Sequence, residues 1–376
     1  MADKELALRL RVARESLGLK LTEAARRLDF ANYQTLSDIE SGIREVKASE
    51  LAKFAKVYFC NISELLGQEG SKFVRAFLWR NPPQTEETKT EIERNVFYRC
   101  EQYHLLEKLL NQRIKKAFLD ISIDAIKTNY AINDLANEYR SLWGLGNRPA
   151  LSLQKVLEQD QGVKILFYPL PEGSSVSATH PDFGGIIVIN SEEAPWRRNY
   201  DLAHELFHLI TWNAVSFDAL KDVSFFKEIE KRADKFASML LLPENEVRRE
   251  INNRLETQGH ITYSDLVDVA IDFGISTKAL LYRLAYLRFI DWEEADKIAN
   301  DEELSGLSRQ TRVYETKERP VSERFYSLAI RCLRKGLISR GKFAEIIGID
   351  RSDIDDFIEK TGLMESEGSP IEIMAS

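Results

Sequence analysis

Apolar residues recur at helical spacing from about residue 5 to residue 67, which predicts a compact run of short helices. Ser41-Gly42 is expected to end the third helix, because glycine is a common terminator, and Ser49 is expected to cap the fourth. The predicted helices cover Leu6–Leu17, Leu21–Leu28, Tyr33–Glu40 and Ser49–Phe59, and a fifth begins at Asn61.

Short β-branched runs replace the helical pattern in the middle of the chain. Val163–Tyr168 and Gly185–Asn190 are bounded by Gly, Pro and Ser, and they predict two strands. Gly173–Thr179, between them, predicts a turn and leaves a third strand open. The pattern is helical again from Pro195 to about Trp292, so the expected fold is mainly α with a small β-sheet (α+β).

Changes in composition divide the chain into regions. Asn81-Pro-Pro-Gln opens a polar segment typical of a domain boundary. A helix-like stretch follows from 88 to 142, and a charged segment, Asp301–Glu323, precedes a last helical piece. The expected regions are an all-α domain at 1–70, a helical spacer at 71–129, a third domain at 130–295 and a helical C-terminal region at 320–364.

Composition narrows the class of protein. The chain has 376 residues, enough for two or three domains, and 52 basic against 60 acidic residues give a formal net charge of −8. No apolar run approaches the roughly 18 residues of a membrane span, and the charged start MADKELALRL lacks the apolar core of a signal peptide. With three scattered cysteines, we expect a cytoplasmic protein, and one local DNA-reading module is compatible with its acidic charge.

The strongest chemical signal is His204-Glu205-Leu206-Phe207-His208. On a helix, residues four apart share a face, so both imidazoles can bind one metal ion while Glu205 lies beside its open position. Zinc suits imidazole ligands, and a catalytic site adds a third protein ligand and a water whose proton Glu205 could take and pass to a leaving amine. The alternative, an amphipathic helix with incidental polar residues, would leave the imidazole pair unsatisfied.

A third ligand is expected on a later helix. Glu230 would complete a set of two histidines and one glutamate. Asp234, one turn further, is placed to accept the free N–H of a ligand imidazole and so to fix its tautomer. Glu228 is a rival ligand and His180 a weaker one.

Several segments between about residues 130 and 290 are shared with a known family. They are Leu142-Trp-Gly-Leu-Gly, Gly185-Ile-Ile-Val-Ile-Asn, Arg198–His208, Glu230–Pro243, Asp272-Phe-Gly-Ile-Ser and Tyr282-Arg-Leu-Ala. In these segments the chain resembles the ImmA/IrrE family of bacterial metallopeptidases. The resemblance implies a zincin-like peptidase domain of the gluzincin type, with Zn²⁺ on His204, His208 and Glu230 and a repressor protein as substrate. Phe207 stands where the family usually has Gly, which would narrow the site, and Asp234 stands where Asn is frequent.

Substrate binding is expected on a strand. HExxH peptidases commonly bind an extended substrate along an edge strand through backbone hydrogen bonds. The best candidate is the strand before the motif helix, and a buried strand without this role is the alternative; the predicted substrate strand consists of Gly185, Ile186, Ile187 and Val188. Tyr282, Arg283 and His260 all stay open as the oxyanion donor.

Two segments near the N-terminus match a helix-turn-helix. Ala24–Leu28 matches the first helix of the motif, and Thr35–Arg44 matches the second helix and its exit. Residues 6–66 thus resemble the repressor-like helix-turn-helix domains of the XRE family, which implies that the second helix enters the major groove of DNA. Glu40 is expected to stabilise the domain. By position, Tyr33, Gln34 and Asp38 would read bases, while Asn32, Thr35, Arg44 and Lys47 could hold phosphates.

The charge of this domain is small for DNA binding. Residues 6–47 carry 8 basic and 6 acidic residues, a net charge of +2, so a single copy is expected to bind weakly. A homodimer on a two-fold operator would bind better, and the stretch Glu91–Lys116 could supply the dimer contact or act as a spacer. Contacts with another protein are the alternative role of this domain.

Together these patterns predict a DNA-binding transcriptional regulator with zinc-dependent endopeptidase activity. The resemblance implies that it cleaves a repressor or antitoxin, or its own linker, in a stress, phage or DNA-damage response. The alternative is a non-proteolytic repressor or antitoxin whose peptidase-like domain only senses or binds a partner. A third hypothesis is a peptidase whose helix-turn-helix docks the substrate.

Overall fold

The computed structural model describes residues 4–16, 19–58, 62–66, 77–79, 83–114, 121–180, 183–215, 222–313 and 320–361. It is mainly α-helical with one small sheet, which confirms the predicted fold class. Within these residues, no helix has the length and the apolar character that a membrane crossing needs.

The helices are, in chain order, α1 (Lys4–Ser16), α2 (Leu21–Arg27), α3 (Tyr33–Glu40), α4 (Ala48–Tyr58), α5 (Ile62–Leu65), α6 (Glu86–Leu109), α7 (Asn129–Leu142), α8 (Leu153–Gln159), α9 (Pro195–Ile210), α10 (Val223–Leu241), α11 (Glu244–Gln258), α12 (Tyr263–Asp272), α13 (Thr277–Tyr286), α14 (Trp292–Ala299), α15 (Glu302–Thr311), α16 (Glu323–Arg334), α17 (Arg340–Ile347) and α18 (Ile354–Thr361). The strands are β1 (Phe77–Trp79), β2 (Lys164–Tyr168), β3 (Ser175–His180) and β4 (Gly184–Asn190).

The chain forms two compact units. Unit 1 comprises residues 1–76 and 85–95, and unit 2 comprises residues 77–84 and 96–376. Helix α6 therefore begins in unit 1 and ends in unit 2, and the C-terminal helices α16–α18 belong to unit 2.

Unit 1 contains α1–α5 around a small apolar core that includes Leu10, Leu36 and Phe54. Helix α3 spans the residues that the sequence predicts, and Gly42 follows its end with φ +72°, a left-handed conformation that favours glycine. Helix α4 begins at Ala48, so the predicted cap residue Ser49 lies inside its first turn. At this end of the helix, the Glu50 carboxylate accepts a hydrogen bond from the backbone N–H of Lys47 at 2.9 Å.

The sheet of unit 2 has the strand order β1-β3-β4-β2. Strand β4 pairs in parallel with β2 and antiparallel with β3, and β1 pairs antiparallel with the other side of β3. Ile187 and Ile189 of β4 share one buried core with Leu202 and Leu206 of α9, so this helix packs on one face of the sheet. The strand and the helix thereby fix the position of the His-Glu motif.

A buried charged cluster ties the C-terminal region into unit 2. Glu107 of α6 accepts a hydrogen bond from Lys164 of β2, at 3.0 Å, and another from Arg324 of α16. Ser322 donates to Glu158 of α8 at 2.8 Å. Because buried charges are costly unless paired, these contacts hold the last helical region to the sheet.

Two elements differ from the sequence prediction. The charged segment Asp301–Glu323 contains α15, which Asp301 caps and which packs Leu304 and Leu307 against the core, so two leucines one turn apart dock a mostly polar helix. Strand β1 lies within the region expected to be a helical spacer. Three residues are too few to show the alternating pattern of a strand. Strand β1 is recognised only from its pairing with β3.

Candidate functional site

Helix α9 carries the His-Glu motif in its buried C-terminal half. Pro195 occupies the first turn, where its missing N–H has no cost, and every residue from Asp201 to Ile210 is buried. His204 and His208 are four residues apart and lie on one face of the helix. Burial of this face forces the imidazoles to find polar partners from another element.

Helix α10 supplies those partners. Asp222 caps this helix by accepting the backbone N–H groups of Ser224 and Phe225. The helix packs against both α9 and α7, and its Glu230 and Asp234, again four residues apart, face the histidines.

The three candidate ligands converge on one point. The Nε2 atoms of His204 and His208 are 3.2 Å apart. A Glu230 oxygen lies 3.3 Å from Nε2 of His204, and its other oxygen lies 3.1 Å from Nε2 of His208. Among the described residues, this trio is the group that could hold a metal ion. Asp234 Oδ1 lies 2.9 Å from Nδ1 of His204, so an N–H at Nδ1 would leave Nε2 as the ligand atom.

The electrostatics of the cluster favour a positive charge between these groups. Burial by itself lowers the pKa of His204. The hydrogen bonds to Asp234 and Glu230 act in the opposite direction and outweigh burial, so the pKa rises to about 10. Burial raises the pKa of Glu230, but the two imidazoles hold it well below its ordinary value. A divalent cation would supply this charge while the imidazoles stay neutral.

Glu205 lies beside the cluster and is held by strand β3. Ser175 Oγ donates to Glu205 Oε1 at 2.7 Å, and both residues are buried. The second oxygen, Oε2, is buried without a hydrogen-bond partner among the described residues. Two imidazoles, one carboxylate and an adjacent unsatisfied carboxylate oxygen fit zinc and a water that reacts beside it.

The sequence prediction does not include Ser175, which holds Glu205, or the neighbouring pair of Ser174 and Asp201. Ser174 Oγ donates to Asp201 Oδ1 at 3.0 Å, and burial raises the pKa of Asp201 to about 6. The available signal is the spacing of Ser175 and Ser177, two positions apart and both buried, which places two hydroxyls on one face of the strand. Polar residues on a buried strand face indicate a polar partner opposite.

The rival residues have other partners. Glu228 is on the exposed side of α10 and accepts from Arg232, and His180 stacks on Phe183 at a ring distance of 4.2 Å. The three oxyanion candidates also make contacts of their own: Tyr282 donates to Asp296, Arg283 to the Leu242 carbonyl, and His260 lies 2.9 Å from the Gln258 carbonyl.

Strand β4 is not an edge strand. Gly185, Ile186, Ile187 and Val188 pair with β3 on one side, and Ile186, Ile187 and Val188 pair with β2 on the other. The expected role as a backbone partner for the substrate is therefore wrong for Ile186, Ile187 and Val188, because both sides of this stretch are already paired within the sheet. The sequence could not show this, since strand order depends on contacts between distant residues.

Phe207 lies in the core. It is completely buried, and its ring packs 5.6 Å from that of Phe236 on α10. Its bulk therefore fills the space between the two helices that carry the candidate ligands.

The helix-turn-helix surface in unit 1 consists of α3 and the residues around it. Tyr33 and Gln34 are exposed in the first turn of α3, and Gln34 donates to Asp38 at 3.1 Å. Asn32 caps this helix, because its side chain accepts from the backbone N–H and from the hydroxyl of Thr35. Asn32, Tyr33, Gln34 and Thr35 thus share the N-terminal end of α3, the end that a DNA-reading helix uses to contact bases, and Asp38 lies one turn further along.

The charged residues after α3 have different environments. Arg44 pairs with Glu50 at 2.7 Å, whereas the side chain of Lys47 is exposed. Glu40 is buried against Arg14, whose Nε and Nη2 donate to its two oxygens at 2.7 and 2.8 Å, so its carboxylate bonds within the domain, as the predicted stabilising role requires.

If the three candidate ligands bind zinc, removal of the Asp234 carboxylate is expected to weaken that binding by about 10–100-fold, because this partner would fix the tautomer of His204. Asp234→Ala tests this in a competition titration against a chromogenic zinc chelator. Asp234→Asn is the matched control and should lose much less affinity, since its amide oxygen can accept the same hydrogen bond. Equal affinity in Asp234→Ala and the wild type would contradict the orienting role.

Two family models match the chain. The model of the IrrE N-terminal-like domain, Peptidase_M78, matches residues 158–285, and the helix-turn-helix model HTH_3 matches residues 10–65. The chain therefore joins a DNA-binding type of domain to a peptidase-like domain, and both sets of candidate residues lie within the matched regions.

Other similarities are weak. A solved Mycobacterium tuberculosis transcriptional regulator is 16% identical, with a TM-score of 0.30 over 49% of this chain and 51% of that chain. The chain thus spans about half the length of that regulator, at a similarity too low to bear on the fold or the function. No curated protein matches the chain.

Proposed function

We propose that this chain is a transcriptional regulator that binds operator DNA and cuts a protein by zinc-dependent hydrolysis. The observation that carries the peptidase half is the convergence of two imidazole nitrogens and a carboxylate within 3.1–3.3 Å, beside Glu205. The match of residues 158–285 to the IrrE N-terminal-like domain supports the same proposal.

Each residue of the centre has a distinct role in this proposal. His204, His208 and Glu230 would hold Zn²⁺, and Asp234 would orient His204. When bound there, zinc would supply Lewis acidity toward the peptide carbonyl and the attacking water. Glu205 would take a proton from that water and donate it to the leaving amine, while Ser175 keeps its carboxylate in place.

The proposed substrate is a repressor or antitoxin, in agreement with the resemblance to the ImmA/IrrE family. Cleavage would then relieve repression in response to stress, phage or DNA damage. The helix-turn-helix domain would bring this activity to an operator, and a homodimer would add the second half-site.

Zinc content and chelation test the peptidase proposal. The full chain should carry about one zinc ion and cut members of a peptide library, with the cuts found by mass spectrometry. Removal of zinc by a chelator should stop cleavage, and zinc should restore it. A zinc-loaded chain that cuts no peptide and no candidate repressor would instead favour a domain that only binds a partner.

DNA binding is expected to weaken steeply as salt rises, because phosphate contacts release counterions. Lys47 is exposed near α3, so Lys47→Ala should reduce the slope of log affinity against log salt by about 1. The measurement is titration of an operator selected from random duplexes, at several salt concentrations. Lys53→Ala, which removes a lysine of α4 paired with Asp29, is the matched control. Identical slopes in the wild type and both variants would contradict the contact at Lys47.

A further inference from the structure

The sheet has a second neighbour for β3, which is the short strand β1. Phe77, Leu78 and Trp79 pair antiparallel with Ala178, Ser177 and Val176, respectively. Strand β1 covers the side of β3 that faces away from β4. It therefore covers an edge that would otherwise present unpaired backbone N–H and C=O groups.

Strand β3 is the strand next to the candidate metal centre. Its first residue, Ser175, donates to Glu205 at 2.7 Å, and the strand packs along α9. The interior strand β4 is paired on both sides from Ile186 to Ile189, so it presents no free backbone edge over these residues. The outer edge of β3 thus belongs to the strand that contacts Glu205, and β1 is seated on it.

Strand β1 is an addition to the peptidase region. The strands β2, β3 and β4 all lie within residues 158–285, which match the IrrE N-terminal-like domain, whereas β1 comes from the segment between this region and the helix-turn-helix match. The strand on the β3 edge therefore comes from the segment after the helix-turn-helix match and not from the region that matches the peptidase model.

Within the described residues, β1 pairs with β3 over three positions, and Phe77 is an aromatic anchor. Phe77 packs edge-to-face on Phe97 with ring centroids 5.4 Å apart, and Phe97 in turn contacts the ring of His180 at 5.8 Å. Three residue pairs make a weak ladder, because each cross-strand pair contributes only modestly. A longer peptide could pair with more of β3 and displace it.

We propose that the outer edge of β3 binds an extended peptide antiparallel, and that Phe77–Trp79 is the chain's own competitor for this edge. The ligand class is an extended peptide with an aromatic residue opposite Ala178, where Phe77 now lies. This inference rests on the proposed peptidase function. A peptide can bind only to chains in which β1 has left the edge. The apparent affinity therefore equals the affinity for the open edge multiplied by the fraction of chains that are open.

The test measures peptide binding in the full, zinc-loaded chain with Glu205→Gln, so that no cleavage interferes. The probe is a fluorescein-labelled peptide of residues 74–81, Val-Arg-Ala-Phe-Leu-Trp-Arg-Asn, followed by fluorescence anisotropy. Leu78→Pro should release β1, since proline removes an N–H and disfavours a strand, and should raise peptide affinity at least about tenfold. Gln84→Pro, at an exposed position beyond β1, is the matched control and should bind like the parent.

A reversible lock gives a second measurement that does not depend on the proline variant. Leu78→Cys with Ser177→Cys places two thiols on directly paired residues. The oxidised chain should bind no peptide, and reduction should restore binding to the parent value. Equal peptide affinity in the parent, Leu78→Pro and the oxidised chain would overturn the proposal, as would cleavage of the wild-type chain between residues 74 and 81.

Zinc content and library cleavage, measured on the same preparations with Glu205 restored, separate this proposal from the proposed function. Peptide binding that depends on β1 in a chain that never cleaves would support the β3 edge and contradict the peptidase proposal. Cleavage of library peptides, together with peptide affinity that is the same with β1 released or locked, would support the peptidase proposal and contradict the proposal for the β3 edge.

Discussion

Glu230→Ala is expected to remove nearly all zinc from a chain that otherwise carries about one ion. Glu230 contributes the only carboxylate among the three candidate ligands, and its oxygens lie 3.1 and 3.3 Å from the two imidazole nitrogens. The loss should exceed the roughly 10–100-fold expected for Asp234→Ala, because a direct ligand disappears. Metal analysis of the purified proteins by mass spectrometry measures the ratio of zinc to chain.

The matched control for this variant is Glu228→Ala. Glu228 is two residues earlier on the same helix, but it is exposed and accepts from Arg232. Its removal should leave the zinc content unchanged. Thermal unfolding of both variants checks that the chain still folds. Normal zinc content in Glu230→Ala, or zinc loss in Glu228→Ala, would contradict the assignment of the third ligand.

Glu205→Gln is expected to lower the rate of peptide cleavage by about 10²–10⁴-fold, the usual contribution of a general base. Glutamine keeps the shape of the side chain and can still accept from Ser175 Oγ, but it cannot take a proton from water. The measurement is the cleavage rate of the best peptide found in the library.

Zinc content and operator affinity are the internal controls for Glu205→Gln, since the three candidate ligands do not include this residue. Both should equal the wild-type values. An unchanged cleavage rate would show that Glu205 is not the base. A wild-type chain with no cleavage at all, with normal zinc and DNA binding, would favour the non-proteolytic regulator.

Local patterns predicted the helices better than the strands. Tyr33–Glu40 and the terminator Gly42 follow from spacing and from one glycine, and the structure has both. The pattern at β3 does not decide between a turn and a strand, because Ser175 and Ser177 interrupt its apolar residues. Strand β1 gave no signal, since three residues form a strand only where a neighbour supplies the hydrogen bonds.

The sequence by itself determined the parts of this protein that depend on residues close together in the chain. These are the helix-turn-helix, the helix with His204, Glu205 and His208, and the fold class, because helical periodicity is a property of neighbouring residues. Only the tertiary structure decided that β4 is interior, that Ser175 holds Glu205 and that β1 covers the edge of β3. Strand order and buried hydrogen bonds join residues tens to more than a hundred positions apart, and the requirement to pair their buried polar groups is met only after the chain has folded.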